Sequence, residues 1–177
     1  MNLLQRTLLG LISGTVATGP MTAAMILLHR RLPSRERYPL PPREITMKLA
    51  REAGVEGHLD AEERSALTMI SHFGYGAAGG ALYAATVQPC RQPMLKGVLF
   101  GLGVWAVSYL GWLPAAGVLS PATEHPARRN ALMIVAHVIW GAVMGKFLEL
   151  LVTESDPAAA EPFSATETPY RDLPHRS

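Results

Sequence analysis

Two histidines in the chain stand in matching contexts within apolar sequence. His72 is followed three positions later by Tyr75, and His137 is followed by Trp140 at the same spacing. An ionisable side chain inside an apolar stretch is a default candidate for function, because burying it costs free energy. Imidazole changes its charge near neutral pH, and it also ligates metal ions and haem. The pattern therefore marks these four residues as candidate functional residues within a membrane.

Three interpretations of the two histidines are compatible with the sequence. Each imidazole could hydrogen-bond a neighbouring helix and fix its packing. The pair could instead titrate and pass protons, or line a path for a small solute. Two neutral imidazoles at His72 and His137 could also ligate a haem or a metal ion. We predict no cofactor and keep the haem or metal site as an alternative. Tyr75 and Trp140 are more typical of packing or interface residues than of a cofactor site.

The elements that carry these residues are long apolar segments almost without charge. Hydrophobic residues make up 49% of the chain and charged residues only 17%, which is low for a soluble domain. A helix needs about 20 apolar residues to cross the hydrocarbon core of a bilayer. We therefore predict an all-α, polytopic membrane four-helix bundle within residues 1–152. The predicted spans cover residues 8–28, 65–87, 94–119 and 131–152.

The longest connection, residues 29–64, is predicted to contain a short helix over residues 43–53. Ile45, Leu49 and Ala53 share one face of this helix, so it either lies at the membrane interface or is a solvated connector. Asp60 followed by Glu63 predicts the start of the second span. The last segment, residues 153–177, is rich in Pro, Ala, Thr and Glu and is predicted to be disordered.

The sequence also contains an internal repeat. The second and fourth spans share histidine, an aromatic residue at +3, glycine at +4, alanine at +5 and glycine at +8. The first and third spans also match, which predicts two helical hairpins inserted in parallel. Each span has one Gly-x-x-x-Gly pair, which lets helix backbones approach closely. These pairs are Gly10 and Gly14, Gly76 and Gly80, Gly97 and Gly101, and Gly141 and Gly145.

The charge and the motifs of the chain argue against other classes of function. A net charge of +2 without a basic, aromatic-rich patch argues against nucleic acid as a partner. No nucleophile–base spacing or phosphate-binding glycine loop is present, so an enzyme is not predicted. Cys90 is the only cysteine and is given no role.

The positions of the basic residues predict the orientation in the membrane. Lys and Arg counts favour cytoplasmic loops at residues 29–64 and 120–130, with both termini outside.

Several motifs resemble the YagU-like family of bacterial inner-membrane proteins. The resemblance lies in Gly10-Leu-Ile-Ser-Gly14, in the loop motif Pro39-Leu-Pro41-Pro42-Arg43, and in His137-Val-Ile-Trp140. It covers roughly residues 8–150 and implies a multi-pass protein of the bacterial inner (cytoplasmic) membrane. The family is a domain of unknown function, so the resemblance implies no reaction.

Two classes of function follow from these features. One is permeation or homeostasis of protons or small solutes, in a homodimer if four spans enclose too little volume. The other is a structural or assembly subunit that packs on another membrane protein through its Gly-x-x-x-Gly faces. In both classes the lipid bilayer is the surrounding partner.

Overall fold

The computed structural model describes residues 1–87 and 92–155, and all regular structure in these residues is helical. The five helices of this part are α1 (Leu3–His29), α2 (Pro41–Glu52), α3 (Ala61–Thr86), α4 (Pro93–Ala115) and α5 (Ala127–Ser155). Helix α5 therefore includes the first three residues of the predicted tail. The rest of that tail and Cys90 lie outside the described residues.

Three of the described helices, α1, α4 and α5, are long and apolar enough to cross a membrane. They contain 27, 23 and 29 residues, against about 20 needed for the hydrocarbon core. Helix α3 has 26 residues but is less hydropathic, because it contains His72, several hydroxyl groups and four glycines. The composition and length of α1, α4 and α5 indicate a membrane protein.

Glycines set the closest helix contacts. Helix α1 packs on α3, α4 packs on α5, and α1 also packs along α5. A Cβ built on Gly14 would clash with the carbonyl oxygen of Gly76 and lie 2.9 Å from the Cα of Gly80. A Cβ on Gly97 would clash with the carbonyl oxygen of Gly141 in the same way. The backbones of both helix pairs are thus in direct contact, as in other glycine-mediated packing.

The helix starts follow from local sequence. Asp60 and Glu63 form a capping box: Asp60 Oδ1 accepts from the backbone N–H of Glu63 at 2.9 Å, and Glu63 Oε2 accepts from that of Asp60 at 2.8 Å. Helix α2 begins at Pro41, two residues before the predicted helix. Proline is tolerated there because the first helical N–H has no partner within the helix.

Helix α4 is not the straight span predicted over residues 94–119. Regular α-helix ends at Ala106, and residues Val107–Trp112 form a wide π-turn, in which the N–H of Leu113 bonds to the carbonyl of Ser108. Gly111 departs from helical geometry (φ −114°, ψ −105°), and Pro114 removes a backbone donor one turn later. Turns of this kind are frequent at functional sites.

Short polar contacts fix α2 against the bundle. The Thr46 and Ser71 hydroxyl oxygens are 2.6 Å apart, which ties α2 to α3. Arg51, in the last turn of α2, bonds Glu56 of the following loop through Nε at 2.6 Å, and this guanidinium lowers the pKa of the Glu56 carboxyl. The first contact holds α2 against α3, and the second fixes the chain that leaves α2.

Candidate functional site

A cavity of about 430 Å³ lies between the helices and is lined by residues of all five. His72 and Tyr75 of α3 line it, and so do His137 and Trp140 of α5. The four candidate residues, which are distant in sequence, therefore lie around a single space. Most of the remaining lining side chains are apolar, as is typical of sites for small molecules.

One wall of the cavity is the apolar face of α2. Ile45, Leu49 and Ala53, which share a face by their spacing, all line it, together with Ala50. An amphipathic helix lowers its free energy by covering apolar side chains, and here it does so against the bundle. Leu49 remains 46% exposed, so this face is not fully covered by the chain itself.

His137 is the more buried of the two histidines, with 6% of its surface exposed. Its Nδ1 donates to the carbonyl oxygen of Met133 at 2.8 Å, because a carbonyl can only accept. In the neutral ring, Nε2 then carries the lone pair. The Tyr109 ring and the imidazole are in edge-to-face contact, with ring centroids 6.2 Å apart. Nε2 of His137 makes no hydrogen bond within the part of the chain that is described.

His72 is half-buried and bonds a neighbouring helix. Its Nε2 lies 3.2 Å from the hydroxyl oxygen of Thr22 in α1. Neither histidine is therefore on the outer surface of the described helices. The first interpretation of the sequence, an imidazole that bonds a neighbouring helix, matches the geometry of His72. His137 bonds only its own helix.

The two aromatic residues contact the other half of the chain. The Tyr75 hydroxyl lies 3.0 Å from the Ser108 hydroxyl, across the cavity in the π-turn. Trp140 Nε1 donates to the carbonyl oxygen of Gly14 at 3.3 Å. The indole also packs on Gly79, where a Cβ would lie 2.9 Å from the ring. Both residues thus have structural partners in addition to their places in the cavity wall.

We expect Tyr75→Phe and Ser108→Ala each to lower the free energy of unfolding by about 0.5–1.5 kcal/mol, because each removes one hydrogen bond. The double variant should lose little more than either single variant, since the bond is already absent. Thermal unfolding of the four proteins in detergent measures this coupling. Fully additive losses would contradict a bond between the two hydroxyls.

A model of a family of proteins of unknown function, DUF1440, matches residues 22–145. This segment is more than half of the chain and contains α2, α3 and α4 entirely. The chain belongs to the DUF1440 family. The family's description assigns no activity, and it does not carry the YagU-like name, so that resemblance stays a prediction. Searches of curated proteins and of solved structures found no match.

The DUF1440 match includes every residue lining the cavity except Thr18 and Met21. It also includes the predicted loop motif, whose three residues are in different surroundings. Pro41 is buried, Pro42 lines the cavity, and Arg43 is exposed. The two prolines therefore begin the helix that covers the cavity, whereas the Arg43 side chain has no hydrogen bond or ion pair within the described residues.

Sequence reasoning missed Arg129, which it counted only as a loop charge. This DUF1440 chain buries the residue to 4% exposure at the start of α5. One guanidinium nitrogen donates to the Pro39 carbonyl oxygen at 3.0 Å and to Glu44 Oε2 at 2.9 Å. The guanidinium also lies 5.4 Å from the centroid of the Tyr38 ring, over its face. Arg129 thus joins α5 to the motif that begins α2. The sequence feature that could have identified Arg129 is an arginine within the first turn of an apolar helix.

The haem or metal alternative at His72 and His137 stays a prediction. A cavity of roughly 150 Å³ holds one benzene, so about 430 Å³ corresponds to roughly three benzene rings. His72 Nε2 is also bonded to Thr22. Within residues 1–87 and 92–155, no group of three or more His, Cys, Asp or Glu is arranged to hold a metal ion.

Proposed function

We propose that α3 crosses the membrane together with α1, α4 and α5, giving four spans. Between Ser65 and Thr86, α3 has no Asp, Glu, Lys or Arg. It packs along α1 through Gly76 and Gly80, so this face of α3 is covered by protein. Its exposed residues include Ile70 and Leu82, at 70% and 56%, as expected for a lipid-facing surface.

We also propose that the four spans are two parallel copies of one hairpin. The contacts of the two histidines support this. His72 contacts Thr22, eight residues after Gly14, and His137 contacts Tyr109, eight residues after Gly101. The aromatic residues at +3 also behave alike, because each bonds the opposite hairpin. Equivalent contacts at equivalent positions are expected of a duplicated unit.

The proposed function is permeation or homeostasis of protons or small solutes, without enzymatic activity. The observation that carries it is that His72 and His137, with Tyr75 and Trp140, line one cavity. A space lined by imidazoles and hydroxyls within apolar helices can admit a small solute or exchange a proton. A charged side chain at such a depth would be costly, and the lining residues include none.

The second candidate, a structural or assembly subunit, has less support. It depends on Gly-x-x-x-Gly faces that are open to a partner. In the described helices these faces are already in use, Gly10 and Gly14 against α3 and Gly97 and Gly101 against α5. A homodimer or a membrane-protein partner would have to bind through other surfaces.

We propose the bacterial inner membrane as the location, with both basic loops on the cytoplasmic side. Contacts between the two loop regions support a shared side. Arg128 lies 3.9 Å from Glu36, and Arg129 bonds Pro39 and Glu44. At the opposite end of α1, Arg6 donates to the carbonyl oxygens of Ala84 and Val87, both at 2.8 Å.

Flux through liposomes tests the proposal. The purified protein should produce pH-dependent proton entry, read by a trapped pH-sensitive dye. His72→Ala and His137→Ala should each reduce that entry by about a hundredfold, the lower end of what a positioned proton-transfer group contributes. His29→Ala is the matched control and should leave the rate unchanged, because His29 lies outside the cavity and bonds the Tyr38 carbonyl. No flux in the parent protein would overturn the proposal and favour the structural candidate.

A further inference from the structure

The polar groups of the cavity restrict what it can bind. Four of them are paired with each other: Thr46 with Ser71, and Tyr75 with Ser108. The Thr18 hydroxyl donates to the Gly14 carbonyl at 2.8 Å. These pairs leave few positions at which a ligand could gain a hydrogen bond. A polar ligand with many bonding groups would therefore lose bonds to water without replacing them.

Among the buried side chains of the wall, two have a polar atom without a partner in the described residues: His137 at Nε2 and Tyr109 at its hydroxyl. His137 is 6% exposed and Tyr109 5%, but neither polar atom is itself fully buried. Both line the cavity, and their rings are in contact. Nε2 accepts a hydrogen bond, since Nδ1 is committed to Met133, and the phenol can both donate and accept. A ligand that displaced water from these atoms without bonding them would leave two polar groups unpaired at a cost in free energy, so a ligand that bonds both is favoured.

A single hydroxyl group offers the donor that His137 Nε2 needs and the acceptor that the Tyr109 hydroxyl needs. Its proton is donated to His137 Nε2, and its oxygen accepts from the Tyr109 hydroxyl. A carboxylate has no proton to donate, and no Lys or Arg among the lining residues would offset its charge. The remaining wall, including Ile45, Leu67 and Val104, fits an apolar body up to roughly three benzene rings in volume.

From this geometry we infer that the cavity binds a neutral, largely apolar molecule with a hydroxyl group, held between His137 and Tyr109. The inference rests on the proposed function in that it identifies the class of solute for the same cavity. It goes further by naming the two groups that recognise the hydroxyl of the ligand, His137 Nε2 and the Tyr109 hydroxyl. Tyr109 was not a candidate in the sequence, because it enters the wall only through the π-turn of α4.

Tryptophan fluorescence provides a direct test. Trp140 is 3% exposed and lines the cavity, so a bromine-labelled ligand in the cavity quenches it. Trp112 also lines the cavity but is 43% exposed, and Trp105 is the third tryptophan of the sequence. Replacing both with Phe leaves Trp140 as the reporter. The probes are a bromoalkyl alcohol, the bromoalkane of equal length and the matching bromoalkyl carboxylate. Saturable quenching gives the affinity of each.

In the background that carries both Trp105→Phe and Trp112→Phe, the alcohol should bind roughly three- to tenfold more tightly than the bromoalkane. His137→Leu and Tyr109→Phe should each reduce this preference and leave bromoalkane binding unchanged. Tyr109→Phe keeps the aromatic ring, so this variant still tests the inference if His137→Leu fails to fold. Tyr83→Phe is the matched control, because its hydroxyl lies 3.4 Å from the Pro93 carbonyl oxygen, and Tyr83 is not among the lining residues.

Equal affinities for alcohol and bromoalkane would overturn the inference, and so would a carboxylate that binds as tightly as the alcohol. A preference that survives both His137→Leu and Tyr109→Phe would overturn it too. Liposome flux separates this inference from the proposed function. Proton flux without a hydroxyl preference refutes only the inference. A hydroxyl preference without any flux supports the binding site and refutes permeation.

Discussion

Gly97→Ala is expected to lower the free energy of unfolding by about 1–3 kcal/mol, the usual cost of an overpacked contact. The new Cβ would clash with the Gly141 carbonyl oxygen and lie 2.9 Å from its carbon. Because these are backbone atoms of α5, no change of rotamer can relieve the contact, and the two helices must separate. Thermal unfolding of the purified protein in mild detergent measures the loss.

Gly103→Ala is the matched control for this substitution. Gly103 lies on the same helix, α4, and a Cβ there meets no atom within 4 Å. Alanine should be neutral at this position or stabilise the helix by up to roughly 1 kcal/mol. Equal effects of the two substitutions would contradict direct backbone contact between α4 and α5. Gly14→Ala and Gly19→Ala offer the same comparison on α1, since Gly19 also has open space around it.

Arg129→Met is expected to lower the free energy of unfolding by about 2–3 kcal/mol, because it removes two hydrogen bonds of a buried guanidinium. The substitution leaves the Pro39 carbonyl without this donor and Glu44 without its partner. Glu44 is 41% exposed, so water compensates part of the loss. Limited proteolysis of residues 30–60 should become faster, since the bond that holds the start of α2 is lost.

The neighbouring residue supplies the control. Arg128 is 67% exposed and only 3.9 Å from Glu36, and Arg128→Met should cost less than about 1 kcal/mol, as for other surface ion pairs. Both substitutions remove one positive charge from the same turn of α5. A comparable loss of unfolding free energy in both variants would show that net charge, and not the buried contact of Arg129, stabilises the start of α5.

Hydrophobic length and periodicity were sufficient to predict an all-helical membrane chain. The predicted segments each fall largely on a described helix, because an apolar run of such length has few other stable states. The repeat in sequence was also sufficient to select His72 and His137, which line the same cavity. Glycine spacing correctly identified residues at close contacts, but the spacing alone could not say which helices they join.

The missed features depend on tertiary contacts. The π-turn at Val107–Trp112 adds one residue to a helical turn, and Gly111 and Pro114 did not reveal where that residue is inserted. This turn brings Ser108 and Tyr109 into the cavity wall. Arg129 looks like any loop charge until its partners at Pro39 and Glu44 are brought close by the fold. Contacts between residues far apart in sequence leave no local pattern to detect.

The bond from Trp140 to the Gly14 carbonyl joins residues 126 positions apart. Helix α1 leaves the ribosome before α5 and therefore meets this partner only after α3 and α4 have been synthesised. Until then, the face of α1 that later covers Trp140 is exposed to lipid, other membrane proteins or the insertion machinery. Before α5 is in place, α1 and α3 are held together only by their own contacts, which are the glycine packing, the His72–Thr22 bond and the bond from Arg6 to the Ala84 carbonyl. The cavity is complete only once α5 has joined them.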